Sequence, residues 1–290
     1  EEFGDVNMNI RKSHILHNVN IRGFQKCDEF SHLVSSPIDA CIYYGRHKFM
    51  IKQHSSNQIY VAGHNNLGQC GVNSKELEID EFTVLQIPHR ENESYEIRCI
   101  SNGICAKHSF IIIRYRQSQS YKIYAFGTNK DGQFGTDSKF TQPQIYPLEL
   151  SHLSEYLFVD LQLTIIQICC GEKHSIFLSK SGKLLGCGLN DKGQCGIEYD
   201  EDYEYILEPE FIEFHHRNEH EDEHEEKDKS VRIAFISCGR EHTLCLDVEG
   251  KVWAFGVNTN GELGIGHNRD TFEWIDQPIC INHTFIQWNP

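Results

Sequence analysis

Short apolar runs alternate along this chain with clusters of Gly, Asn, Ser and Lys. The runs include Ile165–Ile168, Ile176–Leu178 and Leu184–Leu185. This pattern predicts short strands joined by turns rather than long helices, in which apolar residues would recur every three to four positions. Hairpin turns are predicted at Lys180–Lys183 and Val248–Lys251, because the glycine in each accepts the positive φ that a tight turn needs.

One motif recurs four times: a short apolar strand ends in Gly, and Asn, two residues, Gly, Gln or Glu, one residue and Gly follow. Its Asn can bond nearby backbone and tolerates left-handed conformations, while its glycines let the chain turn or approach another backbone closely. A repeat of this kind predicts stacked units, because one unit alone cannot bury both of its faces. The repeat positions are Gly63, Asn65, Gly68, Gly127, Asn129, Gly132, Gly188, Asn190, Gly193, Gly256, Asn258 and Gly261.

A second motif, Gly-x-x-His between two apolar runs, precedes the third and fourth copies and ends at His174 and His242. Degraded versions end at His108 and His47. Four equivalent histidines raise the idea of a metal site, but one ion needs all its ligands about 2 Å away, and equivalent positions of separate repeats lie farther apart. We therefore predict that each histidine has a structural role, bonding nearby backbone or a neighbouring strand.

Together the two motifs resemble the repeats of the regulator of chromosome condensation 1 family, from about Ile38 to Gly266. The resemblance implies an all-β fold, a β-propeller usually of seven blades, each blade a four-stranded antiparallel sheet. Four clear repeats are expected over 38–290. Their approximate bounds are 38–99, 100–164, 165–232 and 233–290.

The two ends of the chain leave alternatives open. Residues 1–37 are expected to form a degenerate unit or a closing segment. Phe285–Pro290 matches the start of the third repeat at Ile165–Cys170, as the stub of a further unit would. The chain is then either an incomplete part of a seven-bladed ring or a ring that an N-terminal strand completes.

The resemblance also implies a function. In the family's founding member, one propeller face engages the small GTPase Ran and promotes nucleotide release. This chain is therefore expected to be a protein-interaction propeller that regulates a Ran-type GTPase as a guanine-nucleotide exchange factor. The alternative is a noncatalytic scaffold or substrate-recognition propeller in a larger protein, of the ubiquitin-ligase or BTB kind. The longest insertions, Gln117–Lys122 and Tyr199–Ser230, are the candidate partner-contacting loops.

The run 215–229 is rich in His and Glu and includes His220-Glu-Asp-Glu-His224, the pattern of zinc peptidases. Those enzymes need a helix packed in a dry, preorganised cavity, whereas this run has no apolar face to bury. The composition predicts an extended acidic loop. Its carboxylates are candidates for binding a basic partner: Glu221, Asp222, Glu223, Glu225 and Glu226.

Composition narrows the function further. The formal net charge of −15 argues against a broad nucleic-acid-binding face, which needs clustered Lys and Arg. No apolar run approaches the roughly 20 residues that span a bilayer, and no signal peptide is evident. We therefore expect a protein in the cytoplasm or nucleus with a protein partner and no membrane or direct nucleic-acid contact. No motif indicates a catalytic residue, a cofactor or a metal.

The 12 cysteines include no Cys-x-x-Cys pair. Without a secretory signal we expect free thiols that act as small apolar core residues. The adjacent Cys169 and Cys170 should point to opposite faces of a sheet, because successive side chains alternate along a strand. The thiols assigned to strand positions are Cys70, Cys170, Cys195, Cys238 and Cys245.

Overall fold

The computed structural model describes residues 40–44, 48–53, 56–101, 103–201, 203–214, 231–265 and 273–281. These residues contain four separate four-stranded sheets. Each sheet is an antiparallel meander of strands that are consecutive in the sequence. This arrangement confirms the predicted fold class of four-stranded propeller blades.

The strands of each sheet are numbered in chain order. Sheet I contains β1 (Ala40–Tyr44), β2 (Lys48–Gln53), β3 (Gln58–His64) and β4 (Glu78–Val84). Sheet II contains β5 (Tyr95–Ile100), β6 (His108–Tyr115), β7 (Tyr121–Gly127) and β8 (Gln144–Glu149). Sheet III contains β9 (Ile165–Cys170), β10 (His174–Ser179), β11 (Leu184–Leu189) and β12 (Tyr205–Ile212). Sheet IV contains β13 (Ile233–Cys238), β14 (His242–Asp247), β15 (Val252–Val257) and β16 (Trp274–Cys280).

The core lies between successive sheets rather than within one of them. Phe110 of sheet II packs edge-on against Phe177 of sheet III, with ring centroids 5.3 Å apart. Ile176 of sheet III shares the next layer with Trp253 of sheet IV. Each such side chain contributes about 1.5–3 kcal/mol when fully buried. The interfaces between sheets therefore hold the four units together.

Cys169 and Cys170 lie on opposite faces of β9, as predicted. Cys170 belongs to the core layer between sheets II and III, and Cys169 to the layer between sheets III and IV. Both are buried because both faces of sheet III are covered. Burial raises the pKa of the Cys170 thiol to about 12, so it stays protonated at neutral pH. The other thiols that were assigned to strands are buried too, but only Cys238 and Cys245 lie in strands, whereas Cys70 and Cys195 lie in the loops after β3 and β11.

A short helical segment between β8 and β9 departs from the all-strand expectation. It consists of helix α1 (Ser151–Glu155) and a π-helical turn (Tyr156–Asp160). Leu150, Leu153 and Leu157 are buried on one side of it, because their spacing of three and four residues matches a helical face. Within the described residues, no helix has the length and apolar character to cross a membrane.

The register of sheet I corrects one sequence assignment. His108, His174 and His242 pair with Gly127, Gly188 and Gly256, but the residue that pairs with Gly63 is Lys48, not His47. Lys48 therefore occupies the histidine position of the first repeat. The expected boundary between residues 99 and 100 likewise falls inside β5, so the second sheet begins at Tyr95.

Several predictions fall on residues outside those described. They concern the segment 1–37, the stub Phe285–Pro290 and the acidic run 215–229.

Candidate interaction surface

The two ends of the sheets form two different surfaces. We call one the loop face: it carries the turns between the first and second strands and the long loops between the third and fourth. We call the other the hairpin face: it carries the hairpins between the second and third strands. Loop-face segments are 65–77, 103–107, 128–143, 171–173, 190–201, 203–204 and 239–241, and hairpin-face segments are 116–120, 180–183 and 248–251.

The repeated Asn holds each long loop from inside. The buried Asn129 side chain accepts a hydrogen bond from Phe134 N at 2.8 Å and donates one to Ser138 O at 2.9 Å. Gln133 adds a second brace, because its Oε1 accepts from Asp131 N at 2.9 Å. The repeat Asn thus fixes the shape of the loop. The equivalent Asn65, Asn190 and Asn258 accept from Cys70, Cys195 and Leu263 N at 3.1, 3.0 and 3.1 Å.

The repeat glycines are required by close packing. Gly188 has φ 107, and a Cβ there would lie 2.4 Å from Lys173 O. Gly193 has φ 66, and a Cβ there would lie 2.1 Å from the Cα of Asp276 in the next sheet. Each loop therefore seats against the outermost strand of the following blade. The other repeat glycines also have positive φ: Gly63, Gly68, Gly127, Gly132, Gly256 and Gly261.

The histidines join one sheet to the next. His174 Nε2 lies 3.1 Å from Thr243 Oγ1, and that hydroxyl lies 3.2 Å from Gln194 O, to which it donates. Because the hydroxyl hydrogen is directed to the carbonyl, Nε2 is the donor and carries the ring proton. We call this arrangement the interblade latch. The same latch joins sheets II and III, where His108 Nε2 lies 2.7 Å from Ser175 Oγ.

Lys48 forms the corresponding contact between sheets I and II. Its Nζ donates to Ser109 Oγ and, at 3.0 Å, to His108 O. Burial lowers the pKa of Lys48 to about 8. The sequence signal for the latch was the hydroxyl residue that directly follows each histidine, and this signal was missed. The acceptor hydroxyls are those of Ser109, Ser175 and Thr243.

A row of ion pairs crosses the loop face over three successive sheets. The carboxylate of Glu172 accepts from Lys107 Nζ on one side and from Arg240 Nε on the other. Burial favours a higher pKa for Glu172, but the hydrogen bonds from the two cations outweigh it and hold the pKa below its usual value. Glu172 is only 9% exposed, whereas the Arg240 side chain is 66% exposed. Ile104, three residues before Lys107, is 53% exposed.

Acidic and aromatic groups border the loop face at 190–204. The Tyr199 ring packs edge-on against Trp274 at 5.4 Å, and its backbone N donates to Asp276 Oδ2 at 3.1 Å. Partial desolvation and the carboxylates around it, Glu204 first, raise the pKa of Tyr199. Tyr203 is 68% exposed. This edge therefore offers negative charge and aromatic surface together.

The two insertions chosen from the sequence are not brought together. Gln117–Lys122 lies at a hairpin-face turn and the start of β7, whereas the part of Tyr199–Ser230 before β12 lies on the loop face. The acidic candidates at 221–226 lie outside the described residues. Among the residues that the structure describes, no three His, Cys, Asp or Glu side chains are grouped so as to hold a metal ion.

A groove of about 700 Å³ opens on the hairpin face between sheets I and II. Its wall includes Asn57, whose side chain accepts from Ile97 N and donates to Tyr95 O, both at 3.0 Å. His89 and Glu93 also line it. Asn57 joins two sheets here, and Glu93 is engaged by Arg90 and Ser118 N. The groove has the polar lining of a blade junction rather than a set of convergent catalytic groups.

Comparisons with known proteins agree with this geometry. The family described as Regulator of chromosome condensation (RCC1) repeat matches residues 122–178 and 181–246. A second family with the same description matches 165–194 and 233–262. Together these ranges cover the last two strands of sheet II, all of sheet III and the first three strands of sheet IV.

Among curated proteins, the human RCC1-like G exchanging factor-like protein is 28% identical over 171 residues, which are 58% of this chain and 34% of that protein. The human probable E3 ubiquitin-protein ligase HERC4 is 29% identical over 192 residues, which are 65% of this chain and 15% of that protein. The chain thus spans about a third of the first relative's length and far less of the second.

Among solved structures, Prp20p from Saccharomyces cerevisiae superposes with a TM-score of 0.61 at 18% identity, covering 84% of this chain and 50% of that one. Human WBSCR16 superposes with a TM-score of 0.62 at 17% identity, covering 85% and 56%. At these identities the likeness concerns the fold. With the repeat matches, it shows that this chain carries repeats of the regulator of chromosome condensation 1 family and folds into blades of that family's β-propeller.

Proposed function

We propose that this chain is a protein-interaction propeller that binds a Ran-type small GTPase through its loop face and acts as a guanine-nucleotide exchange factor. Exchange needs no covalent chemistry. A protein that binds the nucleotide-free GTPase more tightly than the loaded form lowers nucleotide affinity by the same factor, through thermodynamic linkage. A rigid surface with exposed polar and apolar anchors is sufficient for this task.

The observation that carries the proposal is the ion-paired row of Lys107, Glu172 and Arg240. It ties the loop-face turns of three sheets into one surface, and Glu172 holds both cations in place. Arg240 and Ile104 remain exposed, and Arg is one of the residues that are enriched at binding hot spots. Because these groups are preorganised, little conformational entropy is lost when a partner binds.

The comparisons support a GTPase as the partner class. One relative has exchanging factor-like in its name. The study of Prp20p concerns its binding to Gsp1p and histones, which are proteins. A formal net charge of −15 favours a partner surface with basic residues, because complementary charge speeds association and selects partners. The same charge disfavours direct nucleic-acid binding.

A noncatalytic scaffold is the second candidate, and the similarity to HERC4 favours it. In that case the loop face would bind a protein without altering any bound nucleotide. Both functions require the same rigid surface. They differ in whether the partner's nucleotide is released faster.

Release of a fluorescent GDP analogue from purified Ran, with this chain at substoichiometric concentration, tests the proposal. We expect faster release, with one chain molecule serving many GTPase molecules. A panel of other small GTPases tests partner choice. Binding without acceleration across the panel, by a chain shown to be folded by circular dichroism, would replace exchange with the scaffold.

A further inference from the structure

The outermost strands of the four sheets differ at one position, where three of them carry a proline. The residue is Pro147 in β8, Pro209 in β12 and Pro278 in β16, but Phe82 in β4. The positions are equivalent, because in each sheet the next residue pairs with the residue two places before the repeat glycine. A proline on an edge strand removes an N–H donor and so hinders pairing with a further strand. Strand β4 lacks this protection.

The backbone of β4 directs this position away from the rest of sheet I. Leu85 N donates to Ile59 O at 2.8 Å, so these two residues form a hydrogen-bonded pair beside the end of β4. The neighbouring pair, Val84 and Tyr60, is therefore a non-bonded pair, and the N–H and C=O of Val84 point outward. Phe82 lies two residues earlier and has the same orientation. Among the strands that the structure describes, β4 pairs only with β3.

The groove on the hairpin face continues this edge. Val84, at the end of β4, lines the groove together with Gln86 and Ile87, which follow it in the chain. The lining also includes the rings of His89 and Tyr95, whose centroids are 4.7 Å apart. A volume of about 700 Å³ is within the range of ligand-binding sites. We call the outer edge of β4 and this groove together the β4 edge.

The charges along the β4 edge are negative. Asp80 and Glu81 are exposed on β4, the side chain of Glu78 is 57% exposed, and β4 contains no basic residue. The exposed Glu91 lines the groove. A second copy of the same edge is disfavoured, because like charges that lie opposite each other in a sheet are destabilising. The Lys and Arg side chains of a basic segment would instead meet complementary charge.

We propose that the β4 edge is a docking site for an extended, basic segment of a partner protein, which adds a fifth strand to sheet I. Main-chain hydrogen bonds to Val84 provide affinity, and Lys or Arg side chains that meet the carboxylates provide selectivity. The site lies on an outermost strand and not on the loop face. It therefore does not depend on the proposed exchange activity.

The test uses three fluorescein-labelled decapeptides, whose binding to the full chain is measured by fluorescence anisotropy. In the first, Lys and Val alternate, and in the second Glu and Val alternate. The third is the Lys and Val peptide with every backbone amide N-methylated, which keeps the charge and removes the N–H donors. We expect the first peptide to bind and the other two to bind at least about tenfold more weakly. Equal binding of the N-methylated peptide would show attraction by charge without strand pairing and would overturn the proposal.

Amide hydrogen exchange, followed by NMR on the parent chain, locates the bound peptide. The Lys and Val peptide should slow exchange at Val84 by about tenfold or more, because its outward N–H becomes hydrogen-bonded. Thr83 is the internal control, since its N–H points towards β3 and its exchange should change much less. Unchanged exchange at Val84 with the peptide bound would place the peptide elsewhere and overturn the assignment.

A pair of variants tests the missing proline directly. Phe82→Pro gives β4 the residue of the other outer strands and should weaken binding of the Lys and Val peptide at least about tenfold. Phe82→Val is the matched control, because it also removes the aromatic ring but keeps the N–H. Circular dichroism shows whether both variants fold, and the exchange at Val84 decides the question if Phe82→Pro does not. Equal binding by the two folded variants would contradict strand addition.

Discussion

His174 in sheet III and Thr243 in sheet IV are joined by a hydrogen bond of 3.1 Å from Nε2 to Oγ1, beside the apolar layer that the two sheets share. The hydroxyl donates a hydrogen bond to Gln194 O, in the loop that follows β11. One hydroxyl therefore satisfies two buried polar groups of the neighbouring sheet. Apolar packing supplies most of the attraction between blades. This bond and the two bonds between the Gln167 side chain and the Ile236 backbone fix the relative position of the two sheets.

Replacing Thr243 with Val should expose the importance of that hydroxyl. The change keeps the side-chain shape but leaves His174 Nε2 and Gln194 O buried without partners, at a cost of about 1–3 kcal/mol for each group. Urea denaturation should show a lower free energy of unfolding. Thr243→Ser keeps the hydroxyl, and its free energy of unfolding is expected to fall much less. Equal losses for Val and Ser would mean that packing, not the latch, fixes the interface.

The buried histidines should make the fold sensitive to mild acid. Burial lowers the pKa of His174 to about 3, whereas in the unfolded chain it is near 6.5. Below pH 6.5 His174 binds a proton in the unfolded state but not in the folded state. Its contribution to the free energy of unfolding is therefore fully present above pH 6.5 and is lost as the pH falls towards 3. For His174 alone the loss between pH 7 and pH 5 is about 2 kcal/mol.

His174→Gln separates this effect from the titration of carboxylates. Glutamine retains an N–H donor for Thr243 and does not titrate. Its free energy of unfolding should fall less steeply between pH 7 and pH 5, by about 1.4 kcal/mol per pH unit in the steepest part. Parallel pH profiles for the two proteins would show that His174 is accessible to protons in the folded state.

Two glycines with the same backbone conformation should respond differently to alanine. Both Gly196→Ala and Gly264→Ala place a side chain at positive φ, which costs about 1–2 kcal/mol. Only at Gly196 does the new Cβ also collide with Phe255 of sheet IV and Ile212 of sheet III. Thermal unfolding should therefore show that Gly196→Ala loses more unfolding free energy than Gly264→Ala, by about 1–3 kcal/mol. A larger loss at Gly264 would contradict the described packing.

The fold could be predicted from the sequence because the Gly and Asn residues have the same spacing within every copy of the motif. Each of them also has a structural role that involves residues close to it in sequence. Asn129 braces its loop through bonds to residues close in sequence, so its role is visible in the pattern. The latch was harder to predict, because its acceptor belongs to the next repeat. The sequence analysis wrongly assigned His47 to the histidine position of the first repeat. Lys48 is the next residue, and only the strand pairing with Gly63 shows that Lys48 occupies this position.

The ion-paired row on the loop face could not be predicted from the sequence either, because the fold brings its residues together. Lys107, Glu172 and Arg240 are separated by more than sixty residues at each step, and nothing in their local sequence marks them as partners. Antiparallel meanders place all three turns at one end of the sheets. The predicted insertion at Gln117–Lys122 goes to the opposite end because it joins the second and third strands.

Glu172→Gln should loosen the ion-paired row. It removes the charge that holds Lys107 and Arg240, but both cations are partly exposed, so solvent screening limits the loss to about 1 kcal/mol. The loss should shrink at high salt. Glu249→Gln is the matched control, since its pair with Lys251 lies on the exposed hairpin face. If the two variants lose equal stability at low salt, Glu172 has no special role in the row.

The most direct test of the central claim compares GDP release from Ran by the parent chain with release by two charge variants. Arg240→Glu alters the loop face, and Lys180→Glu makes the same change of charge on the hairpin face. Both positions are exposed, so both proteins should fold. We predict faster release with the parent chain and with Lys180→Glu, and at least a tenfold weaker effect with Arg240→Glu, equivalent to about 1.4 kcal/mol. Equal acceleration by both variants would contradict the assignment of the loop face, and no acceleration by the parent chain would contradict exchange itself.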